Sequence, residues 1–157
     1  MKKTKKQELH RLMEVYGKVV NSLASLDHPT PKLIIDTWPS TRQKFFEMLE
    51  SKATGMTPSV LVGGLKQGLL EMPQVFGGMP VDLEKKAVES YLSVINEELP
   101  EFFAQMDADL QVILGRGRIR SEKEFYLVRL MLDQAEKDGQ TVIIEQLMGL
   151  ISPYESR

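Results

Sequence analysis

Apolar residues recur at helical spacing along almost the whole chain, and no stretch alternates apolar with polar long enough to make a half-buried strand. That pattern constrains the fold more than any motif does. A segment whose apolar period is about 3.6 residues buries one face only as a helix, so sheets and barrels are excluded. From Gln7 to about Ser25 the stripe is Leu9, Leu12, Met13, Tyr16, Val19, Val20 and Leu23. Ser40 can cap a helix to about Ala53 with Phe45, Phe46, Met48 and Leu49 on one side. Thr57-Pro58 joins a capping hydroxyl to a proline at the first helical position, and the helix it opens reaches about Met72. Asp82 opens another, with Val88, Tyr91, Leu92 and Ile95 inward, and Pro100 begins the next through Met106, Leu110 and Ile113.

Ser121-x-x-Glu124 has the form of a capping box. The helix after it is apolar nearly all round from Phe125 to Leu132, which marks an element packed on several sides. Gly139 ends it, and Thr141 to Ser152 forms the last helix. So short a joint folds these last two into an antiparallel pair. Breaks are expected at Asp27-His28-Pro29-Thr30-Pro31, at Pro39 after a short Lys32–Trp38 helix or connector, and across Pro73 to Pro80. Gly115 can end the helix before the arginine-rich loop, and Gly64-x3-Gly68 permits close approach of a neighbouring helix. The expectation is an all-α fold: a single compact helical domain of six or seven helices, ending in an antiparallel helix pair. Its helical body spans residues 7–152, with a basic flexible arm at 1–6 and a tail at 153–157.

Composition narrows the chemistry. A chain of 157 residues is long enough to bury a core without staples. It has no cysteine, which excludes disulfides, zinc–thiolate sites and thiol catalysis. The basic start Met1 to Lys6 resembles a secretory signal only until Glu8, His10 and Arg11 interrupt it, and no apolar run of about 20 residues follows. A soluble cytoplasmic protein is expected. Net charge is only −2, yet lysines gather at the amino end and carboxylates between Asp82 and Asp109. His10 and His28 are the only histidines, and neither lies in a His-Glu-x-x-His frame; no Gly-x-Ser-x-Gly elbow is present. The Glu97–Asp109 carboxylates lack a histidine to complete a metal site and read as a solvated helix face. No enzyme, cofactor or metal is expected.

Three features offer binding. Gly115 to Arg120 frees the backbone between Arg116, Arg118 and Arg120, whose forks suit carboxylates and phosphates, or they simply decorate an exposed connector. Arg129 interrupts the apolar helix, with Phe125 and Tyr126 one turn before it and Asp133 one turn after; it either fixes packing or clamps a ligand. Met56 to Pro80 has few charges and several glycines, so it is either tightly packed or an apolar flap presenting Met72, Phe76 and Met79. Trp38 is assigned to packing. The leading functional expectation is a non-catalytic intracellular module that docks to or masks a protein partner, as adaptor or immunity proteins do. The alternative is a nucleic-acid-associated helical protein using the basic arm and the arginine loop. A small-molecule binder or enzyme with a pocket around Arg129, Tyr126 and carboxylates is the third. No membrane association is expected.

Overall fold

The computed structural model describes residues 4–51 and 55–156. Among them there is no strand, and the chain forms seven α-helices: α1 (Lys5–Ser22), α2 (Pro29–Ser51), α3 (Pro58–Val75), α4 (Val81–Glu98), α5 (Pro100–Arg116), α6 (Glu122–Asp138) and α7 (Thr141–Glu155). A 3-10 turn, Phe76–Gly78, follows α3. The all-α expectation therefore holds. Contacts divide the chain into two compact units, with the boundary inside α4 between Val94 and Ile95.

In the first unit α1 packs on both α2 and α3. Its buried residues, Leu9, Leu12, Met13, Val15, Val19 and Val20, recur every three or four positions, as the sequence stripe requires. Opposite them α3 buries Leu61, Val62, Leu65, Leu69 and Leu70. The Tyr91 hydroxyl of α4 is satisfied inside the unit by donating to the Leu69 carbonyl. α1 starts earlier than its apolar stripe suggests. The Thr4 hydroxyl accepts from the Gln7 amide at 3.1 Å while the Gln7 side chain accepts from the Thr4 amide at 3.0 Å, a reciprocal cap that draws Lys5 and Lys6 into the helix. The expected arm at residues 1–6 is corrected to that extent; Lys2 and Lys3 lie outside the described residues.

The prolines break the chain less than expected. α2 runs through Pro39 as one helix of 23 residues. Pro39 is exposed, so solvent can reach the carbonyl that its missing N–H frees. α3 likewise passes Pro73 to reach Val75, and α7 passes Pro153 to reach Glu155, so most of the expected 153–157 tail is helical. These extensions reverse the flap. Met72, Phe76 and Met79 are only 7%, 0% and 5% exposed, because α3 continues into the 3-10 turn and returns Phe76 to the core. The scarcity of charge in this segment is that of an inward-facing helix.

In the second unit α6 packs against both α5 and α7. Its buried residues, Leu127, Val128, Leu130, Leu132 and Ala135, face both neighbours, as its all-round apolar sequence implies. α5 buries Met106, Leu110 and Ile113, and α7 buries Leu147, Leu150 and Ile151. Gly139 ends α6 in the left-handed region at φ 69°, and α7 turns back beside α6 as the antiparallel partner. Gly115 does not end α5. Gly117 does, at φ 84°, with its N–H donating to the Ile113 carbonyl at 2.9 Å.

Candidate functional site

The α5–α6 joint holds the arginine loop, and its geometry is dominated by one carboxylate. Glu124 Oε1 accepts from Arg116 Nη1 at 2.7 Å and from the Arg120 backbone N–H at 2.8 Å. Its Oε2 accepts from Arg116 Nη2 at 3.1 Å, completing a bidentate fork. The capping box is thus only half formed. The Ser121 hydroxyl accepts from the Glu124 amide at 3.2 Å, but the Glu124 side chain reaches the amide one residue before the cap, because Arg116 holds it there. The Arg116 hydrogen bond, helped by that of Arg120, keeps the Glu124 carboxyl below the usual carboxylate range; the same pair raises Arg116. Arg116 is therefore occupied by its own chain. Arg118 and Arg120 remain exposed, so no three-arginine cluster is left for a single anion.

Arg129 is half-buried. Phe125 stacks on Tyr154 with centroids 5.1 Å apart, and the Tyr126 hydroxyl donates to Glu122 at 2.8 Å. A cation–π contact is made in the first unit, with Arg42 5.0 Å from the Phe46 ring centre. Arg129 lines neither of the two hollows described next. Among the described residues there is also no group of three His, Asp or Glu side chains able to hold a metal.

The surface that sequence reasoning missed is α2. Of its 23 residues only Pro31 is buried. Ile34, Ile35, Trp38, Phe45, Phe46, Met48 and Leu49 are all left partly exposed, and Leu33 is 65% exposed. A side chain buried in full gains about 1.5–3 kcal/mol, and Leu33 forgoes most of that. Where α2 meets α1 and α3, a groove of about 220 Å³ opens between Tyr16, Val20, Ile34, Trp38, Phe45 and Leu65. One wall is the Tyr16–Trp38 stack, with centroids 5.2 Å apart and planes 12° from parallel. Gly64 keeps it open, since a Cβ built there meets nothing within 4 Å. Thr37 and Thr41 also line the groove, but their hydroxyls donate back along α2, to the Leu33 carbonyl at 2.8 Å and the Thr37 carbonyl at 3.1 Å. The groove carries no charge and offers no free side-chain donor from these residues. Trp38, expected in a connector, was legible only as packing because Pro39 hid the continuity of α2.

Gly68 behaves differently from Gly64. Tyr16 lies across it, so the close approach allowed by the glycine pair is made by a side chain and at one glycine only. Burial, with a smaller contribution from Glu71, pushes the Tyr16 hydroxyl up to about 12.

The second hollow lies in the other unit, a cleft of about 760 Å³ among α5, α6 and α7. Its floor is apolar, from Leu110, Leu114, Met131, Ile143 and Leu150, and its rim carries Gln111, Gln134, Gln140 and Gln146. Asp107 is its charged lining residue. No helix among the described residues is long and apolar enough to cross a membrane. No protein-family model matches the chain, and no curated protein or solved structure does either.

Proposed function

We propose that this protein is a non-catalytic interaction module that docks to or masks another protein, with α2 and its groove as the contact. The observation that carries this reading is α2 itself: a 23-residue helix with large apolar side chains along it and a single buried residue. A helix stripe of that composition is stable in water when something covers it. The groove adds specificity of shape. Its stacked Tyr16–Trp38 wall and uncharged lining suit a bulky apolar side chain of a partner, and tryptophan is enriched at contacts that dominate binding energy. The contact thus moves from the arginine loop and the Met72–Met79 segment, the first self-paired at Arg116 and the second buried.

A photo-reactive side chain at Leu33 tests this in the cells that make the protein. It is expected to give a discrete protein adduct that disappears when Thr41→Trp fills the groove. The same probe at Val81, 79% exposed in α4, is expected to give none. Identical labelling from both positions would dismiss α2 as a docking face.

A further inference from the structure

The α5–α6–α7 cleft is independent of the α2 surface and differs from it in chemistry. α6 packs on both α5 and α7, while these two make no comparable contact with each other, so they stand as walls on either side of α6. The cleft volume of about 760 Å³ lies in the range of about 300–1,000 Å³ usual for ligand clefts. A fourth helix laid between α5 and α7 would cover Leu110, Leu114, Met131 and Ile143 and complete a four-helix arrangement around them.

The charge pattern selects among helices. No lysine or arginine lines the cleft, whereas Asp107 does. A second carboxylate stands just behind the rim, where Asp138 accepts from Gln134 Nε2 at 3.1 Å. Gln134 in turn accepts from Asn96 at 3.1 Å, so this part of the rim is held in place. Gln111, Gln140 and Gln146 are exposed amides that can bond to polar flanks without attracting either sign of charge. From these observations we infer that the cleft binds an amphipathic helix from another protein, with an apolar stripe to meet the floor and basic residues beside it to meet Asp107 and Asp138. The occupant is neither an anion nor an acidic helix, and this site works whether or not α2 binds anything.

The test uses the full chain and a fluorescent designed peptide of about 18 residues, with leucines on one helical face and lysines flanking them. Four comparisons decide the matter: a scrambled peptide of the same composition, a version with glutamate for every lysine, and the protein variants Gln111→Trp and Gln146→Phe, which fill the cleft without changing charge. Anisotropy titrations are expected to show saturable binding of the amphipathic peptide, with the scrambled and acidic peptides and both variants weaker by about tenfold or more. Circular dichroism checks that Gln111→Trp and Gln146→Phe, both at exposed positions, keep their helix content. Trp38→Ala, in the α2 groove, is expected to bind the peptide normally, which separates failure here from failure of the α2 reading. Equal binding of the scrambled peptide, or no loss in either cleft variant, overturns the proposal. So does sedimentation showing that the chain dimerises through this cleft, because the occupant is then a second copy.

Discussion

Gly68→Ala offers a sharp test of the packing around α1, because the same substitution elsewhere in α3 has the opposite sign. A Cβ at Gly68 falls on the Tyr16 hydroxyl, well inside van der Waals contact, while Tyr16 Cζ is 3.6 Å away. Tyr16 cannot simply swing aside, since its ring is stacked on Trp38 and half-buried. Replacing an interior helical glycine with alanine gains about 1 kcal/mol from the backbone. Against this, forcing a methyl into an occupied space costs about 1–3 kcal/mol, and disturbing an aromatic pair costs about 0.5–1.5 kcal/mol more. The expected balance is a loss of about 2 kcal/mol, or about 4–8 °C in Tm for a chain of this size. Gly63→Ala meets nothing within 4 Å and should stabilise, by about 1 kcal/mol. Urea unfolding followed by the fluorescence of Trp38, the only tryptophan, reports on this unit. The double variant Tyr16→Phe with Gly68→Ala removes the offending hydroxyl and leaves an ordinary contact, so it should recover the gain seen at Gly63. If Gly68→Ala stabilises as Gly63→Ala does, or if Tyr16→Phe fails to rescue it, the packing described here is wrong.

Three further outcomes are expected. In ultraviolet titration Tyr16 should ionise late, near 12, and subtracting the titration of Tyr16→Phe from that of the parent should leave a one-tyrosine component there. Unfolded chains lose this proton from about pH 10 while folded ones hold it, so stability should fall by roughly 2–3 kcal/mol between about pH 10 and 12; a flat profile there contradicts the burial of Tyr16. Glu124 has the opposite sign: its lowered carboxyl stabilises the fold above the ordinary carboxylate value and stops doing so as pH falls through its own. Glu124→Gln should therefore flatten the acid limb of the stability curve, and unchanged slopes would show that Arg116 contributes nothing there. Ser121→Ala removes the α6 cap and should cost about 1 kcal/mol in urea unfolding, while no loss would mean that Glu124 alone starts the helix.

Helix content, the caps at Thr57 and Ser121, the start at Pro100 and the stop at Gly139 were legible in the amino-acid order, because each depends on groups within one turn of each other. Apolar spacing also marked which faces of α1, α5 and α6 turn inward. Other features needed the helices to be assembled. Pro39 sits harmlessly in α2 because its side of the helix faces solvent, and local rules treat every proline as a break. Phe76 is core and Leu33 is surface although both are large apolar residues, since burial depends on which neighbour a face meets. Arg116 finds Glu124 across a turn that only the Gly117 conformation closes, so a loop that looked available to an outside anion is largely satisfied from within. The partly exposed α2 stripe and the open α5–α7 cleft are likewise products of packing, which covers α2 incompletely and leaves α5 and α7 apart on α6.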